Sequence, residues 1–179
     1  MNDLLNKMKT GSAKQMAAWE AVNQLGILSD LKEYKPVLCG TIPIGIDTAD
    51  SDLDIIMEVQ DFEKFQRRLN KLYSHYNDYR IKRLFIRGME VSKANFSYSG
   101  YQFELFGQAQ PVNRQNAFLH MMIEHEILQK NPEMKEEVIS LKKTGMKTEA
   151  AFCKLLGIEG DPYSGLIEYG DANGYLKRP

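Results

Sequence analysis

Cysteine and tryptophan are scarce in this 179-residue chain, which has two of the first (Cys39 and Cys153) and one of the second (Trp19). The cysteines stand far apart and outside any metal-ligand spacing, so a thiolate zinc site is excluded. Cys39 lies in an apolar run, where a buried free thiol is expected. Net charge is nearly absent too: 23 Lys and Arg against 24 Asp and Glu give −1. No overall basic field draws the chain to nucleic acid, and a basic site would have to be a local groove. Apolar runs of membrane-spanning length are missing. The opening Met1-Asn-Asp-Leu-Leu-Asn lacks the apolar stretch of a signal peptide. A reduced, cytoplasmic protein without a membrane partner is expected.

What is present suits one globular unit, with 43% hydrophobic and 26% charged residues. Ser12-Ala-Lys-Gln15 reads as a capping box, opening a helix whose apolar face is Met16, Ala18, Trp19 and Val22 and which fades near Gly26. Pro36 to Cys39 reads as a short buried strand. Asp52 to Val59 alternates with period two: Leu53, Ile55, Met57 and Val59 form one face, and Asp52, Asp54, Ile56 and Glu58 the other. Asp61 caps a helix carrying Phe65, Leu69, Leu72 and Tyr76. Three strand-like runs follow, 79–86, 91–98 and 101–106, separated by turns at Arg87-Gly88 and Ser99-Gly100 that predict antiparallel hairpins. From Pro111 onward the pattern is helical, with Asn131-Pro132-Glu133 and Thr148 as helix starts and Gly157 as a stop. The order predicts an α+β fold: a core over 1–110 and a helical extension over 111–179, packed as one unit.

The informative stretch is Gly40-Thr-Ile-Pro-Ile-Gly45-Ile-Asp-Thr-Ala-Asp-Ser51-Asp52-Leu-Asp54. Side chains two apart on a strand share a face, so Asp52 and Asp54 project together and repel unless a cation sits between them. Magnesium fits, with manganese as the alternative, because it takes hard oxygen ligands and leaves positions open for water and phosphate. Gly40 lets the backbone come close to a phosphate, and the Thr41 hydroxyl and nearby N–H groups can donate to it. Ser51 is placed to hold the turn through local backbone.

With Gly40, Gly45 five residues later, and Ser51-Asp52-x-Asp54, the stretch resembles the nucleotidyltransferase superfamily, the group related to polymerase beta and the aminoglycoside-modifying nucleotidyltransferases. Thr41 stands for the usual serine of that pattern and keeps its hydroxyl. Pro43 and Ile44 stand where many small relatives carry alanine and arginine, so that arginine's phosphate contact is absent. The full chain, with Gly145-Met-Lys147-Thr-Glu149 near its end, is also similar to a small bacterial family of that superfamily. The resemblance implies a small mixed sheet flanked by helices, two magnesium ions and a third carboxylate on a later strand. Glu104, in Tyr101-Gln-Phe-Glu-Leu-Phe106, is the choice for that carboxylate. Glu58 is too far along its strand, and Glu90 is expected in a turn.

Asp52, Asp54 and Glu104 are thus the expected catalytic and metal residues, and Gly40, Thr41, Ser51 and Lys147 the expected nucleotide contacts. Lys142, Lys143 and Lys147 around Gly145 read first as a solvated helix end favoured by the dipole, and second as a source of a phosphate contact. His120 and Glu124, one turn apart, could suggest a metal site, but two ligands do not make one and a satisfied histidine is preferred. Most of Tyr73, Tyr76, Tyr79, Tyr98, Tyr101, Phe103 and Phe106 are expected in the core or in cross-strand pairs rather than stacked on a base. The activity implied is transfer of a nucleoside monophosphate from a nucleoside triphosphate to a small-molecule, RNA or protein acceptor. The rival is a non-catalytic descendant that binds nucleotide or a partner. A two-component antitoxin is a more distant third reading.

Overall fold

The computed structural model describes residues 2–176. Its elements are helices α1 (Asn2–Lys7), α2 (Ala13–Leu25) and α3 (Ile27–Asp30), strand β1 (Val37–Cys39), the short α4 (Thr41–Ile44), β2 (Leu53–Glu58), α5 (Phe62–Tyr73), β3 (Arg80–Ile86), β4 (Met89–Tyr98), β5 (Tyr101–Gln108) and helices α6 (Asn116–Lys130), α7 (Met134–Lys143), α8 (Thr148–Leu156) and α9 (Pro162–Ala172). The strands form one mixed sheet in the order β1-β2-β5-β4-β3, with β2 and β5 parallel and the other pairs antiparallel. This is the expected α+β architecture with a helical C-terminal part. Among the described residues, no helix is long and apolar enough to cross a membrane.

Local chemistry explains the element boundaries. The Ser12 hydroxyl accepts from the Gln15 N–H at 3.2 Å, and Gln15 Oε1 accepts from the Ser12 N–H at 3.0 Å, so the capping box is complete. Gln15 Nε2 also donates to the Ile42 carbonyl at 2.9 Å, which ties α2 to the turn after β1. The Asp61 carboxylate accepts from the Lys64 N–H at 2.9 Å and starts α5. The β3–β4 and β4–β5 connections are two-residue turns with positive φ at both positions, 51° and 78° at Arg87-Gly88 and 48° and 79° at Ser99-Gly100. That geometry matches the strand twist and fixes the hairpin registers.

One face of the sheet packs on α2, α3 and α5. Leu53, Ile55, Met57 and Val59 are all fully buried there, with Phe96 and Phe103. Tyr73, Phe96 and Phe103 stack in a row with ring centroids 5.1 Å apart at each step, so Tyr73 and Phe103 serve the core as expected, with Phe96 between them. The opposite face carries Val37, Cys39 and Ile56, which share a second core with Ile123, Ile127, Val138, Phe152 and Leu166 of the C-terminal helices.

Three local expectations are corrected. Met16 is 41% exposed: α2 buries Ala18, Ala21, Val22 and Leu25 instead, because apolar residues surround that helix and the sheet selects the stripe with the smaller side chains. Glu90 lies inside β4 and pairs with Arg83, since β4 begins at Met89 directly after the two-residue turn. Asn131 precedes a turn, and α7 starts only at Met134.

Candidate functional site

Period-two alternation places Asp54 on the face of β2 away from Leu53 and Ile55, and parallel pairing sets it directly beside Glu104 of β5. Asp52 stands one residue before the strand. One carboxylate oxygen from each of Asp52, Asp54 and Glu104 lies within 4.8 Å of the others. The crowding has an electrostatic cost. Burial first, then the charges of Asp52 and Glu104, push the Asp54 carboxyl up to about 7, with Lys93 partly offsetting them. Lys93 Nζ lies 2.5 Å from Glu104 Oε2, and Asn95 Nδ2 donates to the same oxygen at 3.5 Å.

This donor set fits a hard divalent cation. Three partly buried carboxylates converge from two hydrogen-bonded segments, and burial, with repulsion added to it, keeps one of them reluctant to ionise without a counter-charge. Gly40 makes room for them. Its φ of 84° and ψ of −161° suit glycine almost alone, and a Cβ there would fall 2.6 Å from Asp54 Oδ2.

Thr41 opens α4. Its Oγ1 lies 3.1 Å from Ser51 Oγ, which in turn accepts from the Thr48 N–H at 2.9 Å, so Ser51 holds the turn as its type and position predict. Two lysines pin the same loop. Lys14 Nζ donates to the Thr48 and Ala49 carbonyls and lies 3.9 Å from Asp47, and Lys142 Nζ donates to the Ile46 carbonyl at 2.6 Å.

A cleft of about 500 Å³ opens from the carboxylates, a volume in the range of small-molecule sites. Asp54, Glu104, Ile56 and Phe106 form its floor; His120, Glu149 and Tyr163 stand among its walls, and Arg87 reaches it from the β3–β4 turn. The Arg87 guanidinium sits 4.8 Å from the Tyr163 ring centroid. Ile44, by contrast, is buried in the C-terminal core, so the cation at the cleft comes from a hairpin and not from the motif helix. Lys147 directly precedes α8 and is not among the cleft-lining residues; Lys142 is the lysine of that segment that reaches the motif loop.

His120 is satisfied rather than ligating: Nε2 donates to the Tyr163 carbonyl at 2.9 Å, and Nδ1 lies 3.4 Å from Glu149 Oε1. Burial disfavours its charged form, yet the Glu149 and Tyr163 acceptors outweigh that and raise its pKa overall. Glu124 is buried below it, and burial together with Glu149 pushes its carboxyl up to about 8, against His120 and Lys142.

Sequence reasoning missed Lys93, Asn95, Arg87 and Glu149. The first two could have been found by counting back from the Ser99-Gly100 turn, which pairs Asn95 with Glu104 and Lys93 with Phe106. Arg87 and Glu149 carry no such signal, because tertiary packing alone brings them to the cleft.

The fold is that of known nucleotidyltransferases. It is similar to Cid1, described for its RNA terminal uridylyl transferase activity, with a TM-score of 0.54, 12% identity, and coverage of 79% of this chain and 45% of that one. The Cid1 poly(U) polymerase with MgGTP bound gives a TM-score of 0.54, 12% identity, and 79% and 46% coverage. The polymerase core of TRAMP, an RNA surveillance complex, gives 0.51, 10%, and 87% and 49%. The chain therefore spans about half the length of the structures it matches. No curated protein matches the sequence. The family model of a domain of unknown function, DUF4269, matches residues 20–169, and the chain belongs to that family.

Proposed function

We propose that the chain is a metal-dependent nucleotidyltransferase that moves a nucleoside monophosphate from a nucleoside triphosphate to an acceptor hydroxyl. The observation that carries the reading is the convergence of Asp52, Asp54 and Glu104 within 4.8 Å. The likeness of fold supports it, as does the MgGTP bound to one of the similar polymerases.

Asp52, Asp54 and Glu104 would hold one or two magnesium ions, which neutralise the triphosphate and the leaving pyrophosphate when bound. Gly40, Thr41 and Ser51 shape the turn that faces the phosphates. A hydroxyl held beside Glu104 attacks the α-phosphorus; its bond to phosphorus forms as the bond to pyrophosphate breaks, and its proton passes to solvent. Positioning and fixed charge supply most of the acceleration. Arg87 is the cleft cation placed to meet negative charge, in the role left open by Ile44.

A second reading, a binding module without catalysis, draws on the Lys93–Glu104 pair at 2.5 Å, which already neutralises one of the three carboxylates. One comparison separates the two: pyrophosphate release by wild type and Asp52→Ala, with magnesium and a panel of small-molecule, RNA and protein acceptors. The enzyme loses on the order of a hundredfold or more in rate with Asp52→Ala while nucleotide affinity falls less. Equal rates from the two proteins would remove Asp52 from the mechanism.

A further inference from the structure

We infer that the face of β3 and β4 beside Glu104 is a subsite for a phosphate group carried by the acceptor. The inference rests on the nucleotidyltransferase reading and deepens it by naming the chemistry of the acceptor. Register, unbalanced charge and position in the sheet support it.

The register gathers three cations. Lys93 of β4 lies 2.5 Å from Glu104 and so shares its face of the sheet. Lys82 of β3 stands directly opposite Lys93. Arg80, two residues earlier, stands opposite Asn95, whose amide donates to Glu104. Side chains two apart on a strand share a face, so Arg80, Lys82 and Lys93 project together. Arg80 and Lys82 are exposed, and among the described residues neither side chain has an ion pair or hydrogen bond. Asp78, the acidic residue nearest to Arg80 in sequence, accepts from the Ser97 hydroxyl instead. The other face of β3 differs: its Arg83 lies 3.4 Å from Glu90 and 5.7 Å from the Phe62 ring centroid.

The charge is left unbalanced. Like charges directly opposite on neighbouring strands are destabilising, so Lys82 facing Lys93 lowers stability with no compensating partner on β3. Glu104 answers one of the three cations while its carboxylate is free. A divalent cation at the carboxylates draws on that same charge and leaves the three side chains short of an anion. A phosphate group supplies close to two negative charges and three acceptor oxygens, and the cations can donate to it from two strands.

Sheet order assigns that phosphate to the acceptor. Gly40 and Thr41, in the turn that faces the donor's phosphates, follow β1 at one edge of the sheet, and β3 is the other edge. Lys82 stands two strands beyond Glu104, about 10 Å away at the usual strand spacing. The reacting hydroxyl sits beside Glu104, so a phosphate on this side belongs to the molecule that carries the hydroxyl.

The test is calorimetric titration of the protein with its donor site filled by magnesium and a non-hydrolysable ATP analogue. The probes are inorganic phosphate, ribose 5-phosphate against ribose, and a hexaadenylate RNA. The expected result is binding of inorganic phosphate and of at least one carrier, with ribose silent. The double variant Arg80→Gln, Lys82→Gln should weaken each by about tenfold or more. Tighter binding of the RNA would identify a strand as the carrier, and tighter binding of ribose 5-phosphate a phosphorylated small molecule. The variant should still bind the ATP analogue and melt no lower than wild type, because it removes exposed cations that repel, so lost affinity is not lost fold. No binding of any phosphate probe, or binding that the variant leaves unchanged, would overturn the subsite and leave the transferase reading standing. Failure of the ATP analogue itself to bind with magnesium would overturn that reading and the acceptor role with it.

Discussion

Along β2, the side chains pointing towards α2 and α5 (Leu53, Ile55 and Met57) are apolar and fully buried, while those pointing the other way are Asp54, Ile56 and Glu58. The first set packs into the larger of the two apolar cores. The second shares its side of the sheet with Glu104, Lys93 and Asn95, and across the cleft with His120 and Glu149. One face thus gains stability from burial at every position. The other holds groups that repel or resist desolvation, which a fold retains only where packing elsewhere compensates. The period of two makes this division of labour available to a strand of six residues.

The comparison can be broken from the apolar side. Ile55→Ala should cost about 2–5 kcal/mol of stability, because the site cannot collapse around the lost atoms. Denaturant unfolding measures this, and a cost below about 1 kcal/mol would show that the core face is less essential than its burial indicates.

Gly40→Ala tests how tightly the faces are joined at the end of β1. A methyl 2.6 Å from Asp54 Oδ2, on a backbone that disfavours any side chain, must displace that carboxylate. The expected outcome is a modest loss of stability, about 1–3 kcal/mol, with a larger fractional loss of magnesium affinity. Unchanged magnesium binding would show that Asp54 has room the geometry does not indicate.

The buried charges of the C-terminal layer give a pH signature. Glu124 keeps its proton up to about 8 in the folded state, against 4.5 for the free group. The stability it contributes is therefore complete below 4.5 and is lost as pH rises towards and through 8, by at most about 1.4 kcal/mol per pH unit. His120, whose pKa is also raised, acts in the same direction above 6.5. Glu124→Gln cannot ionise, so its melting temperature should decline less between pH 5 and pH 9. Parallel wild-type and variant profiles would mean that Glu124 is ionised in the fold.

How much of this was legible in the sequence follows from the same division. Strand β2 and the two hairpins could be read because alternation and turn residues are local signals, and Asp52, Asp54 and Gly40 came with them. Glu104 was reached through resemblance and then located by the alternation of its own strand. Helix α6 was harder: the residues it buries, His120, Met121, Ile123, Glu124, Ile127 and Leu128, share one face, but two of them are polar while apolar Phe118 and Met122 lie on the opposite side, so hydrophobicity alone does not mark the stripe. For the same reason Met16 looked as buried as Val22. The contacts His120–Glu149 and Gln115–Met57 join residues 29 and 58 apart and depend wholly on how the helices return over the sheet.

The most direct test of the central claim, that β2 carries carboxylates on one face for a cation and not for the fold, is thermal melting of wild type and Asp54→Asn with and without magnesium. Removing one of three crowded carboxylates relieves repulsion, and a ligand stabilises only the state that binds it. Without magnesium the variant should melt at the wild-type temperature or slightly above it. Magnesium should raise the wild-type melting temperature and leave that of the variant nearly unmoved. An unfolded variant, together with a wild-type curve indifferent to magnesium, would contradict the account and make these carboxylates structural.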